Sequence, residues 1–295
     1  MRARVALATY ARAPQLAPDD QLVPPALAAL GVDSEPAVWS STGVEWNAFD
    51  AVIIRSCWDY NLRFAEFLDW IDRLDAAGVE LWNSPSIVRW NADKRYLLDL
   101  ARRGVATVPT IVVPCGAGHE VESIVAAEGW TRFVIKPSVS LNGYETYALH
   151  SPLDDSARAA IAHVTAIGDA LLQPFADEVS RDGEYSFTFI DGELSHATLK
   201  LAKAGEFRVQ TVYGGSVEPI DAPAALSDQA SHALGVLPEM PLYARVDGIA
   251  RGSAFLLMEL ELIEPNLFLA SATGAANRFA AAIARRLEGR ARKSS

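Results

Sequence analysis

Cysteine and lysine are scarce in this chain, and each scarcity excludes something. The two cysteines, Cys57 and Cys115, have neither metal-ligand spacing nor the density of a disulfide framework. Cys57 is expected to be a small buried hydrophobe rather than a nucleophile. Five lysines, Lys94, Lys136, Lys200, Lys203 and Lys293, stand against 21 arginines. Surface cations are written as arginine, so a lysine inside a patterned segment is expected to serve for its compact, mobile ammonium group. Long apolar runs are absent, and none approaches the roughly 18 residues of a membrane span. The opening "MRARVALATYARAPQLAPDD" has too short an apolar stretch for a secretory signal and lacks a small-residue cleavage pattern. Positive charge is also short: the formal net charge is -11 and the pI is near 5.0. The chain reads as soluble and cytoplasmic, with neither membrane nor nucleic acid as partner, although a local basic site for a small anion is allowed.

Common site signatures are missing too. There is no G-x-x-x-x-G-K-[ST] loop, and "GAGHEV" at 116 lacks the third glycine of a dinucleotide fingerprint. The five histidines (119, 150, 163, 196 and 232) are scattered and suggest neither zinc nor a serine triad.

What is present is strong patterning. Half of the 295 residues are hydrophobic, enough for a large core in two or three lobes. Residues 4–10, 51–56 and 79–84 read as short buried strands, alternating with helices over 22–31 and 64–78. That alternation implies a parallel sheet with helices on its faces, and ligands gather at the carboxyl ends of such strands. From 91 to 172 the alternation continues in a smaller unit: a helix "ADKRYLLDLARRG", a strand "PTIVVP", a helix near 119–128, strands "RFVIKP" and "TYAL", and a helix over 152–168. After "LLQPF" long antiparallel strands are predicted, with a hairpin at Asp191-Gly192. "FRVQTVYGG", "YARVDGIA" and "FLLMELELI" supply three more strands, with a helix over 223–235 between them and a last helix at the end. The fold class is α/β, becoming α+β in the C-terminal part. Three units are expected: a substrate-side domain over 1–90, a small central lobe over 91–172 and a C-terminal lobe over 173–295.

Charge is concentrated in two of the late strands. In "FLLMELELIEPN" the alternation puts Glu259 and Glu261 on one face, about 7 Å apart, where their repulsion is on the order of 2 kcal/mol. "YARVDGIA" puts Arg245 and Asp247 on one face, and the short link "RGSA" makes it an antiparallel neighbour. Asp247, Glu259 and Glu261 are then expected to converge with no obvious lysine nearby, and oxygen ligands of this kind suit Mg²⁺. A solvated edge face is the competing reading, which the acid-only spacing disfavours. Lys136 ends an apolar strand beside the loop "SVSLNG", a plausible phosphate clamp. Lys94 falls early in the helix expected over 91–103, at the positive end of its dipole. "LLQPF" resembles an interlobe hinge whose backbone pairs with a flat heterocycle.

In order, "NADKRYLLDL...GVATVPT", "FVIKPSVSLNGYET", "LLQPF...DGEYSFTFIDGE", "FRVQTVYGG" and "RVDGI...LMELELIEPNLF" resemble the ATP-grasp superfamily, on its glutathione-synthetase-like side, over roughly residues 80–270. The resemblance implies two lobes clasping ATP with Mg²⁺, two ions being expected. It implies Lys94 and Lys136 on the phosphates, with Ser138, Ser140 and Gly143 in a loop closing over them. It implies Gln173, Pro174 and Phe175 at adenine, Glu184 at the ribose, and Lys200 near phosphate. Asp247, Glu259 and Glu261 match the metal-ligand positions, although many relatives carry Asn where this chain has Glu261. Arg245, with Lys136 and Arg208, would neutralise the transferring phosphate.

The activity so implied is ADP-forming ligation: a carboxylate is activated as an acyl phosphate and captured by a nitrogen nucleophile, with no covalent enzyme intermediate. Capture within one small amino-acid-like substrate, capture by a second amino acid, and a non-catalytic ATP-binding module are the readings left open. For the substrate, "RSCWDY" offers Arg55, Trp58, Asp59 and Tyr60, and Arg208, Gln210, Gly214 and Gly215 are placed to complete the pocket from the other lobe. A homodimer is allowed by the resemblance, without any residue specifying it.

Overall fold

The computed structural model describes residues 2–293. Its N-terminal layer is a parallel sheet of β1 (Arg4–Thr9), β2 (Asp33–Val38), β3 (Ala51–Ser56) and β4 (Leu81–Trp82), in the order β2-β1-β3-β4. β1 and β3 are short apolar runs buried nearly throughout, as central parallel strands are. The helices α1 (Val23–Ala29) and α2 (Phe64–Ala76) connect them. α2 turns Phe67, Trp70, Ile71 and Leu74 inward, one face of a 3.6-residue period. β2 was not expected from its sequence, "DSEPAV". It survives at the sheet edge, where Pro36 has no second neighbour to bond and Glu35 reaches solvent.

The central unit departs further from expectation. The helix expected over 91–103 begins only at Tyr96, as α4 (Tyr96–Arg102); an unexpected helix, α3 (Pro85–Asn91), precedes it, and the chain turns between them over 92–95. Lys94 therefore sits in a junction, not within a helix, and its backbone N–H donates to Ser138 O at 2.8 Å. β5 (Ile111–Val113), α5 (Val121–Ala127), β6 (Arg132–Pro137), β7 (Tyr147–His150), α6 (Asp155–Ile167) and β8 (Ala170–Pro174) follow. The sheet order is β5-β8-β6-β7 and every pairing is antiparallel.

α7 (Asp177–Asp182) leads into the largest sheet. Its strands are β9 (Glu184–Ile190), β10 (Glu193–Leu201), β11 (Ser216–Ile220), β12 (Tyr243–Arg251) and β13 (Ala254–Glu261), ordered β11-β10-β9-β12-β13 and antiparallel. Asp191 and Gly192 both take positive φ (54° and 83°), the hairpin turn the sequence signals. "FRVQTVYGG" is not the predicted strand. It is a loop with one helical turn at Thr211–Tyr213, because Arg208 folds back onto Glu206 and over the Tyr213 ring, and β11 begins only at Ser216. α8 (Ala224–Gly235) covers the apolar face of this sheet.

The last helix, α9 (Ala275–Lys293), returns to the start of the chain. Its Phe279, Ala280 and Ile283 share one core with Val5, Leu7 and Ile53 of β1 and β3, and with Tyr243 of β12. The unit expected over 173–295 thus has its final helix in the core of the first. Between β13 and α9, residues 262–267 run without strand pairing, and side chains from other elements bond their carbonyls in turn. Asn83 donates to Leu262 O, Tyr243 to Ile263 O, Trp58 to Glu264 O, Arg55 to Pro265 O and Arg245 to Asn266 O, with Thr188 and His196 on Leu267 O. Among the described residues no helix is long and apolar enough to cross a membrane.

Candidate active site

The large sheet presents two unlike faces. Phe187, Phe189, Val246 and Leu260 pack under α8 and α4 on one. On the other, strand register collects the charged residues. Lys200 lies opposite Glu184, Asp247 opposite both Ser186 and Glu259, and Arg245 opposite Glu261. A register irregularity between Asp247 and Gly248 sets this alignment, and there is no room for a side chain at 248. A Cβ there would stand 2.4 Å from Leu256 O and 2.5 Å from the Phe255 ring.

The carboxylates are not left to repel one another. Asp247 is fully buried, accepting from Arg245 Nε at 3.0 Å and Nη2 at 2.8 Å, from Lys200 Nζ at 2.8 Å and from Ser186 Oγ at 2.7 Å. Burial works against its charge, yet Arg245 and Lys200 hold its carboxyl well below the usual range. Lys200 also reaches Glu184 at 2.5 Å, so it bridges two acids. Burial opposes its ammonium, but Asp247 and Glu184 hold its pKa above the ordinary value. Arg245 bonds Glu261, and Lys94 Nζ lies 3.2 Å from Glu259 while donating to Ser140 O. Burial would raise Glu259, but Lys94 and Lys136 hold it low, whereas burial pushes Glu261 up to about 7 against the charge of Arg245. The expectation that no lysine stands near these acids is therefore corrected: Lys200 reaches them through strand register and Lys94 from the α3–α4 junction, both invisible in linear spacing.

A cleft opens between this face and the central sheet. Lys136 and Val134 of β6 and Gln173 of β8 line one wall, Glu184, Met258 and Glu259 the other, with Ser140–Gly143 and Phe207–Gln210 at the mouth. The mouth loops touch, with the Tyr213 hydroxyl 3.4 Å from Gly143 O. The Lys136 ammonium has no hydrogen bond or ion pair among the described residues, and burial lowers its pKa despite the pull of Glu259. An unpaired ammonium in a partly apolar cleft is a site for an anion. Pro174 and Phe175 line the same cleft, and Gln173 turns its amide to Thr110 Oγ1 at 2.8 Å. Ser138 is buried behind the wall, where its carbonyl holds Lys94.

On the substrate side, several expectations shift. Arg55 does not face the cleft. It is fully buried, paired with Asp20 at 2.9 Å, bonded to Pro265 O at 2.7 Å and stacked against Tyr243 and Phe279. Asp59 accepts from Trp39 Nε1 at 2.8 Å, and Trp58 donates to Glu264 O. Tyr60 alone of this set lines a small cavity, beside Lys94, Glu259, Glu261 and Glu264. Arg208 and Gln210 line the main cleft, and Gln210 Oε1 is buried without a donor. Gly214 and Gly215 instead shape the turn. Gly214 is left-handed (φ 85°), and a Cβ on Gly215 would stand 2.1 Å from Val209 O. Glu264, Ser186 and Thr110 were missed. Glu264 lies just past the alternating run, and its one signal was an acid preceding proline.

Glu259 and Glu261 have the oxygen donors and the partial exposure that a divalent cation needs, with side chains 27% and 23% exposed. Asp247 does not fit as it stands, because hydrogen bonds from three side chains already occupy its oxygens. Among the described residues no group of three His, Cys, Asp or Glu side chains is arranged to hold a metal.

With this geometry in place, comparison with known proteins is consistent. The family model of the D-cycloserine synthetase DcsG N-terminal domain matches residues 5–83. Cycloserine biosynthesis protein DcsG of Streptomyces lavendulae is 36% identical over 290 residues, spanning 92% of this chain and 95% of that protein. The crystal structure of D-cycloserine synthetase DcsG superposes with a TM-score of 0.86 at 33% identity, covering 97% of this chain and 100% of that one. D-alanine–D-alanine ligase from Bacillus anthracis superposes at 0.71 and 13% identity over 99% of this chain and 100% of that one, a likeness of fold alone. The sheet order, the cleft and the sequence match along nearly the whole chain agree: the fold is that of ATP-grasp ligases, and the chain belongs to the DcsG family.

Proposed function

We propose that this ATP-dependent ligase closes O-ureido-D-serine to D-cycloserine. The observation that carries the reading is the 36% identity to the cycloserine biosynthesis protein DcsG over 92% of the chain. The cleft supports it by supplying an unpaired lysine, Lys136, along with the part-exposed carboxylate of Glu259, and Glu261 lines the small cavity beside it. The substrate carboxylate takes the γ-phosphoryl group and ADP departs. The ureido nitrogen bonded to oxygen then attacks the acyl carbon, phosphate leaves and the ring closes. Atom balance requires the carbamoyl group to depart with water as carbon dioxide and ammonia, since cycloserine lacks it.

Magnesium held by Glu259 and Glu261 would supply charge neutralisation for the phosphates. Lys136 and Lys94 add positive charge at the inner end of the cleft, and the backbone of Gln173–Phe175 lies where a flat base can pair. Glu184 is engaged by Lys200, so its service to a ribose needs that lysine to yield or to share. Asp247 reads as the anchor that aims Arg245 and Lys200, and it meets metal only by displacing one of them.

ADP release with Mg-ATP across a panel of single small amino acids, including O-ureido-D-serine, tests the reading. Release with that compound alone, lost in Glu261→Ala, is expected. Release only with pairs of amino acids would make the protein an intermolecular, peptide-type ligase instead.

A further inference from the structure

A second, small cavity adjoins the cleft and contains a carboxyl group that the fold leaves without a partner. It lies where the end of β13 meets the α3–α4 junction and Tyr60, and Lys94, Leu141 and Glu259 line both spaces. Glu264 is 6% exposed, and among the described residues its Oε2 has no donor and is shut off from solvent. The backbone beneath it cannot easily swing away, since Tyr243, Trp58 and Arg55 hold the carbonyls of residues 263, 264 and 265. Three carboxyls, from Glu259, Glu261 and Glu264, face this cavity, and among the described residues Lys94 is the only cation lining it. Lys94 is paired with Glu259 and Arg245 with Glu261. Glu264 is the acid left over, and burial, reinforced by Glu261, raises its pKa well above the ordinary value.

We propose that Glu264 receives the α-ammonium group of the amino-acid substrate. The inference rests on the reading of that substrate as a small α-amino acid. In any such compound the α-nitrogen lies about 2.5 Å from the carboxylate carbon by standard bond lengths. A carboxylate brought to the phosphates near Glu259 therefore carries its ammonium to the adjoining cavity. An ammonium offers three donors and no acceptor, which suits a space rich in acceptors and poor in cations. Ring closure keeps this amino group, and an ammonium held on a carboxylate is not a nucleophile that competes for the acyl phosphate. Glu264 thereby selects α-amino acids over counterparts lacking the amino group.

The test is calorimetric and independent of turnover. The full chain, loaded with Mg-AMPPNP, is titrated with O-ureido-D-serine and a panel of small α-amino acids, then with the desamino analogue of the tightest binder. The parent is expected to prefer the amino compound strongly. Glu264→Gln is expected to weaken that compound on the order of 30-fold or more, while binding of the desamino analogue and of Mg-AMPPNP stays at the parent level and Glu264→Asp recovers part of the loss. An unchanged preference in Glu264→Gln, or nucleotide and substrate affinity falling together, overturns the proposal and returns Glu264 to the metal or to the fold. Failure of the parent to bind any α-amino acid overturns this proposal and the substrate reading together. Glu264-dependent binding of an α-amino acid other than O-ureido-D-serine upholds it and sinks ring closure alone.

Discussion

Lys94 and Lys200 engage neighbouring carboxylates, whereas Lys136 faces the cleft without a partner among the described residues. The scarcity of lysine marked Lys94 and Lys136 as chemical and the resemblance added Lys200, but the division of labour among them was not legible, because Lys200 meets Asp247 only through the pairing of β10 with β9 and β9 with β12. Glu264 escaped notice for a related reason: what singles it out is the absence of a donor, which no spacing encodes. Its raised pKa has a consequence for stability. Burial comes first among the causes, then Glu261 and Glu259, with Lys94 and Arg245 opposing. A carboxyl whose folded pKa lies above its unfolded value near 4.5 contributes fully below that value and loses the contribution as pH rises through the folded pKa. Glu264→Gln removes the ionisation. The melting temperature of the parent is therefore expected to fall relative to the variant as pH climbs above about 4.5, with no divergence below it. Parallel curves across the range would contradict the assignment.

At the scale of elements, legibility followed the strength of periodicity. The buried runs of β1 and β3, the amphipathic α2 and the Asp191-Gly192 hairpin were all readable, since each is determined by its own residues. "FRVQTVYGG" alternates like a strand yet folds as a loop, because Arg208 finds Glu206 and Tyr213 close by. α3 was not foreseen and the helix expected from 91 begins only at Tyr96, since the Lys94–Ser138 backbone bond that marks the turn before it is tertiary. The β12–β13 hairpin shows what such tertiary detail is worth. Its irregularity at Gly248 aligns Asp247 with Glu259, and a methyl group there meets Leu256 O and the Phe255 ring. Gly248→Ala is expected to cost about 1–3 kcal/mol in denaturant unfolding. An unchanged midpoint would show that the hairpin yields freely and that Gly248 does not fix the acidic row.

Across the whole molecule, the first and last segments are bound into one body. α9 joins the core of β1 and β3, and Asp19 caps the backbone N–H groups of Leu269 and Ala270 at 2.8 and 2.9 Å. Arg55, with Asp20, ties the N-terminal sheet to Pro265, so a residue expected to grip substrate instead holds the frame around it. Arg55→Leu removes the buried ion partner of Asp20, leaving it only the Ser56 hydroxyl, and is expected to cost about 3–5 kcal/mol. Adding Asp20→Asn should recover a substantial part of that loss in a double-mutant cycle of unfolding free energies, and strict additivity would show that the pair is not coupled. The carbonyls of residues 262–267 are held by side chains drawn from β3, β9, β10 and β12 and from residues next to β3 and β4. A chimera that transplants "ELELIEPN" into another scaffold of this fold will carry the letters of the pocket without its shape. The smallest transferable unit is a scattered set of residues that includes Arg55, Trp58, Asn83, Arg245 and Tyr243, of which Arg55 and Trp58 stand 210 and 206 residues before the backbone they hold.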